Sequence, residues 1–398
     1  MINRYSFKNY KIFKNEQTLD IKPITVVFGK NNSGKSALLK FPLLFESALK
    51  CNSNEVFDLK PYEGLKLGEE LSDVLYGKAL RAVECAAENI EKDVKLIFRF
   101  YIDKSASEQH SHIEYWKLSY QGESLEVKWN DDSYSSSMPG VSNISFKGAV
   151  LVADNVPDFV NEAMKMLLCN IDYIGPIRLR PNRDMRIDSD DKKVSGYEGE
   201  NTYNALLKDS LTTSKQLTNK VSAWYRENFS NWALKVDDLR APVYHVELVN
   251  DSLKTNILDT GYGIVQSLPI VIRACQKCKS ETLIILEEPE THLHPAAHAN
   301  MAQLIADSVK EDEYKKYLIE THSLNFMMRL RRLVAEGSLK ACDINLIYVD
   351  FDKDDVCSGI EPIYINEDGS VESWPSDVFY ETMQEVLAIK NVQFQKNV

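Results

Sequence analysis

The sequence predicts an α/β fold. A core sheet of buried strands alternates with helices, and it is joined to an antiparallel β subdomain and a compact helical insert. Three segments carry this expectation: Ile24-Thr25-Val26-Val27-Phe28 before Gly29, Leu283-Ile284-Ile285-Leu286 before Glu287, and the apolar run from Tyr317 to Ile319 before Glu320. Each is a short apolar run that ends abruptly in polar residues. Runs of this length with such flanks read as strands buried on both faces.

The bulk composition narrows the class. At 398 residues the chain can bury one large core or two lobes. Its 44% hydrophobic and 27% charged content is that of an ordinary globular protein, which excludes disordered and fibrous classes. A net charge of -12 argues against a surface that coats nucleic acid throughout, though it leaves room for a local basic patch. There is no apolar run long enough to span a bilayer, so no membrane partner is expected. The opening Met1-Ile2-Asn3-Arg4-Tyr5 leads into a strand pattern rather than a signal peptide. Seven scattered cysteines, an odd number, fit reduced thiols and a cytoplasmic location. Cys275-Gln276-Lys277-Cys278 lacks a second ligand pair and reads as two helix thiols rather than a zinc site.

Residues 1–100 read as a first lobe. Gly29-Lys30-Asn31-Asn32-Ser33-Gly34-Lys35-Ser36 fills the pattern Gly-x-x-x-x-Gly-Lys-Ser at every fixed position. The strand before it and the apolar helix opening at Ala37 are the context this phosphate-binding loop requires. Backbone N–H groups from Gly29 through Asn31, Asn32, Ser33 and Gly34 to Ala37 are expected to wrap a phosphate chain such as that of ATP. Lys35 would reach its β- and γ-phosphates, and Ser36 would hold Mg²⁺. Pro42 is expected to kink or shorten this helix after about two turns.

Residues 101–255 read as a β-meander and a helical insert. The runs from Leu96, Glu114 and Ser124 are strand-like and suggest an antiparallel meander. Asp131 to Ser137 reads as a polar loop, Asp154 to Leu168 as a helix, and Asn201 to Trp232 as two helices. No sustained heptads occur, so no long coiled coil is expected.

Residues 256–350 read as a second lobe. Glu287-Glu288-Pro289-Glu290 ends a buried strand with acids. On its own that is as well explained by an acidic strand end capped by proline. Beside a phosphate-binding loop, Glu287 is expected to hold Mg²⁺ and Glu288 to orient or deprotonate the attacking water. His322, at the tip of the next strand, is placed to touch the γ-phosphate and sense its loss. Asn345 to Val349 is a further strand, and 351–398 forms a tail.

Together these segments resemble an ABC-type ATPase of the SMC and DNA-repair branch. They resemble more closely the small bacterial AAA-labelled ATPases of the overcoming-lysogenization-defect type, many of them phage-defence components. The resemblance is carried by Phe7 through Ser36, Tyr173-Ile174-Gly175-Pro176-Ile177-Arg178, Glu287 through Pro295, Glu320-Thr321-His322-Ser323, and Glu367-Asp368-Gly369 through Trp374-Pro375. It implies a P-loop NTPase with the mixed sheet of ABC-type ATPases, ATP and Mg²⁺ as cofactors, and two copies clamping ATP as a homodimer or higher homo-oligomer. The family signature falls best on Thr260, Gly261, Gly263 and Gln266; the backbone N–H groups of Gly261 and Gly263 would meet the γ-phosphate of the other copy, and Thr260 would stand in for the missing serine. The signature serine is absent, and the segment from Leu67 to Gly77 has no glutamine at the lid position of the family's Q-loop. The resemblance also implies a separate nuclease or toxin effector, since the chain has no room for a nuclease domain after residue 398. A nucleotide-gated scaffold, a DNA-associated repair ATPase and a soluble transporter ATPase remain as other readings.

Arg178, Arg180, Arg183 and Arg186 form the densest positive run. They suit nucleic-acid phosphates. They equally suit the nucleotide, or ion pairs with Asp184, Asp188, Asp190 and Asp191.

Overall fold

The computed structural model describes residues 1–51, 54–61, 64–78, 81–103, 110–189, 195–375, 378–379 and 381–396. In chain order the first elements are β1 (Arg4–Lys8), β2 (Gln17–Asp20), β3 (Ile24–Gly29), α1 (Lys35–Lys50), β4 (Val83–Asn89) and β5 (Val94–Asp103). Next come β6 (His110–Tyr120), β7 (Glu123–Trp129), β8 (Tyr134–Ser136), β9 (Ser142–Lys147), β10 (Val150–Asp154), α2 (Asp158–Leu167) and β11 (Asn170–Ile174). The helical insert is α3 (Thr202–Ser210) and α4 (Gln216–Asn228), followed by β12 (Ala233–Arg240), β13 (Val243–Asn250) and β14 (Leu253–Asn256). The last part holds α5 (Tyr262–Cys275), β15 (Thr282–Glu287), α6 (Pro295–Glu311), β16 (Lys315–Glu320), α7 (Leu324–Ala335), β17 (Ile344–Asp352), β18 (Cys357–Ile363) and α8 (Glu381–Lys396).

The three apolar runs become neighbours in one sheet of order β11-β15-β16-β3-β17-β18. Every pair is parallel except β17 with β18, so the sheet is mixed. Every residue of β3 and β15 is buried, as strands covered on both faces must be. The period-2 alternation then divides their side chains between two cores. Val27, Leu283, Ile285 and Leu318 join α1 and the antiparallel sheet on one face. Val26, Phe28, Ile284, Leu286 and Ile319 join α5, α6 and α7 on the other. The tail completes the second core, where Trp374 stacks on Phe28 with ring centroids 5.3 Å apart.

The antiparallel sheet has the order β2-β1-β4-β5-β6-β7-β8. It corrects a boundary at residue 100, because β5 crosses that position and pairs with β4 on one side and β6 on the other. The polar stretch from Asp131 to Ser137 is not all loop, since β8 pairs there with β7. Pro42 does not break α1, which runs 16 residues from Lys35 to Lys50 with Phe41, Leu43, Leu44 and Phe45 buried around the proline. That burial outweighs the one backbone hydrogen bond the proline removes. Among the described residues no helix is long and apolar enough to cross a membrane.

Candidate active site

The C-terminal ends of β3, β15 and β16 lie side by side, so their polar tips converge. At the end of β3 the chain turns through the loop into α1. Gly34 caps α1 at φ 102°, and a Cβ there would stand 2.6 Å from Ile12 Cγ2, so only glycine fits. No side chain caps α1, which leaves its first-turn amides facing the loop as an anion-binding end. Asn32, in the same loop, also takes a positive φ, 63°. The Lys35 ammonium folds back onto the Lys30 carbonyl at 2.8 Å and lies 3.9 Å from Glu320 Oε1. Burial pulls its pKa down, with Glu320 and Glu288 opposing.

The Ser36 hydroxyl donates to Glu320 Oε2 at 2.9 Å. Glu287, which the sequence pairs with Mg²⁺, takes other partners: its carboxylate accepts from the Tyr173 hydroxyl and lies 3.9 Å from Lys40 Nζ. Burial and then the Glu287 charge push Glu320 up to about 7.

Glu288 has a strained backbone, with φ 45°. Its N–H donates to the Glu320 carbonyl at 2.8 Å, and its Oε2 accepts from Thr291 Oγ1 at 2.7 Å. The Thr291 bond holds the carboxylate within 4.8 Å of Glu320, 37% exposed, where water can reach it. His322 Nε2 stands 4.0 Å from both Glu288 Oε1 and Glu320 Oε1. Burial and then Lys35 lower its pKa, which favours a neutral imidazole. The His322 backbone N–H donates to buried Glu290, which also accepts from the Thr321 hydroxyl. Burial raises the pKa of Glu290. Glu288, His322 and the segment from Thr291 to Leu293 border a cleft of roughly 500 Å³.

The site has oxygen donors suited to Mg²⁺. Glu288, Glu320 and His322 each offer a ligand atom, all within 4.8 Å of one another, and the Ser36 hydroxyl touches the same group. A small hard cation takes oxygens from one or two carboxylates and a hydroxyl, and fills its other positions with water and phosphate. When bound it would supply charge neutralisation at the transferring phosphate.

Arg178 corrects the reading of the arginine run as one surface. It is only 2% exposed, and its Nη2 donates to the backbone carbonyls of Glu287 and Glu288, the latter at 2.9 Å. Burial lowers its pKa to about 10 against the pull of Glu290, Glu288 and Glu287. Arg183 pairs with Asp259, Arg180 lies over the Tyr262 ring and donates to the Leu258 carbonyl, and Arg186 faces a separate pocket against α3. Asp184 is taken by His245 at 2.9 Å. Asp190 and Asp191 lie outside the described residues. The four guanidinium groups therefore serve different neighbours, and a buried one cannot contact a polyanion.

The signature-like segment divides in the same way. Thr260 precedes α5, its hydroxyl donating to the Ile257 carbonyl, and Gly261 caps the helix in open space. Gln266 is fully buried and bonds both the N–H and the carbonyl of Arg178, at 2.9 and 2.6 Å, so it cannot reach another copy. It ties α5 to the arginine that holds the two acids. A Cβ on Gly263 would stand 2.2 Å from the His292 carbonyl oxygen. Gly263→Ala should therefore displace the turn at His292 and lower stability by about 1–3 kcal/mol in urea titrations, whereas Gly261→Ala should leave stability near wild type.

Histidines 292, 294 and 298 do not gather around one point. His292 packs edge-on against Tyr262, His294 caps α6 through the Ala296 N–H, and His298 bonds Ser323. Cys278 accepts from Arg273.

Residues 1–143 and 171–327 match the sequence profile of the AAA ATPase domain, AAA_15. No curated protein matches the chain. Three solved structures are similar to the chain over most of its length. The SmcHead bound to the C-winged helix domain of ScpA is 14% identical over 92% of this chain and 98% of that one, with a TM-score of 0.47. The SMC head domain from Thermotoga maritima is 10% identical over 92% and 99%, with a TM-score of 0.42. The Smc head domain with an extended coiled coil bound to the C-terminal domain of ScpA, derived from Pyrococcus furiosus, is 13% identical over 98% and 99%, with a TM-score of 0.45. At such low identities and scores these likenesses carry no argument about activity or partners.

Proposed function

Because the chain belongs to the AAA ATPase domain family, we propose that it binds ATP with Mg²⁺ in the loop from Gly29 to Ala37 and hydrolyses it with Glu288 as general base. The observation that carries this reading is Glu288 itself. It is strained, hydrogen-bonded to Thr291 and within 4.8 Å of Glu320, which itself meets Lys35 and Ser36. Lys35 would leave the Lys30 carbonyl for the β- and γ-phosphates. His322 would contact the γ-phosphate from the other side of Glu288.

The exposed start of α5 supports a second part of the proposal. Gly261 and the first turn of α5 after it would offer helix-terminal amides to the γ-phosphate of a second copy, so ATP would close a homodimer. We further propose that this cycle controls a separate nuclease or toxin effector in phage defence, a reading that rests on the family resemblance alone.

Wild type should release phosphate from ATP in the presence of Mg²⁺, and Lys35→Ala should weaken both ATP binding and turnover. Isothermal titration beside a phosphate-release assay checks this. Wild type that binds no ATP would exclude the proposal.

A further inference from the structure

We propose that Glu320, rather than Glu287, is the carboxylate that holds the nucleotide's Mg²⁺ beside Ser36. This rests on the nucleotide reading above and names a metal ligand within it. β15 and β16 end together, with Glu287 and Glu320 paired in parallel register, and both residues are buried. Two acids are therefore candidates, and their side-chain partners separate them. Glu287 is engaged by Tyr173 and Lys40, on the β11 and α1 sides. Glu320 receives the hydroxyl of Ser36, the side chain that a phosphate-binding loop turns toward Mg²⁺.

The spacing suits the ion. Octahedral Mg²⁺ binds oxygens at about 2.0–2.1 Å, so two adjacent ligands on its shell stand about 2.9 Å apart. Ser36 Oγ and Glu320 Oε2 are 2.9 Å apart with only a hydrogen between them. Rotating that hydrogen away would let both oxygens face a cation without moving. The nearby positive charge is Lys35, 3.9 Å from the other oxygen of Glu320, and a γ-phosphate would draw it off. Glu287 then has a different task. Its carboxylate ties the tip of β15 to Tyr173 on β11 and to Lys40 on α1, bracing the strand that delivers Glu288.

The test compares the full chain with Glu320→Gln and Glu287→Gln, measuring the affinity for a fluorescent ATP analogue in Mg²⁺ and in EDTA. Gln keeps the shape and can still accept from Ser36, so EDTA affinity reports an intact loop. Wild type should bind more tightly in Mg²⁺ than in EDTA. Glu320→Gln should lose about tenfold or more in Mg²⁺ and nothing in EDTA, and Ser36→Ala should follow it. Glu287→Gln should keep the Mg²⁺ gain. The inference is overturned by a Mg²⁺ gain that survives Glu320→Gln, by one that Glu287→Gln abolishes, or by equal weakening of Glu320→Gln in EDTA. Wild type that binds nucleotide in neither condition overturns the nucleotide reading, and this assignment with it.

Discussion

Replacing Glu288 with glutamine is expected to slow ATP hydrolysis by about 10²–10⁴-fold while leaving ATP affinity near wild type. The carboxylate accepts a proton from water only in the transition state, so its loss touches kcat rather than binding. Glutamine can keep the hydrogen bond from Thr291, and the strained backbone at Glu288 is held independently by the Glu320 carbonyl. The local fold should therefore survive the change. With hydrolysis blocked, ATP should hold two copies together, and light scattering in ATP should report twice the mass seen without it. A variant that loses ATP affinity as much as rate would show that Glu288 acts in binding instead.

A second large effect is expected far from the nucleotide. Asp172 on β11 and Arg273 on α5 form a buried ion pair, with Asp172 also accepting from the N–H of Ser195 at 2.8 Å and from its hydroxyl at 2.9 Å. Arg273→Met removes the cation and leaves a buried carboxylate with two neutral donors. Breaking such a pair should lower stability by about 3–5 kcal/mol at neutral pH. Adding Asp172→Asn should recover much of the loss, because the uncompensated charge is then gone. Urea titration of wild type, Arg273→Met and the double variant checks the order. An Arg273→Met variant as stable as wild type would mean that water reaches Asp172.

What the sequence revealed follows the range of the interactions. The phosphate-binding loop is local: its glycines, lysine and serine are consecutive, and the strand and helix around it are adjacent in the chain. The buried strands at β3, β15 and β16 were legible for the same reason. The contact between Ser36 and Glu320 was not, because it joins residues 284 positions apart and depends on which strand lies next to β3. Spacing alone favours Glu287, the first acid after an apolar run, and gives no sign that Tyr173 and Lys40 occupy it.

The arginines mislead through their composition. Four cations in nine positions read as a surface, yet Arg178 points inward to the Glu287 and Glu288 carbonyls. The one available signal was its place directly after β11, where the chain passes the tip of β15. Gln266 misleads in the opposite direction: a polar residue in a signature-like segment suggests a ligand contact, while the structure spends both ends of its amide on the Arg178 backbone.

We propose that ATP and Mg²⁺ occupy the loop between β3 and α1, with Glu288 poised on the γ-phosphate. A crystal structure of Glu288→Gln grown with ATP and Mg²⁺ tests it most directly. The phosphates should be wrapped by Gly29 to Ala37, with Lys35 released from the Lys30 carbonyl onto the γ-phosphate and the substituted amide at position 288 facing that phosphate across one water. ATP bound elsewhere on the chain, with Lys35 still on the Lys30 carbonyl, would contradict it.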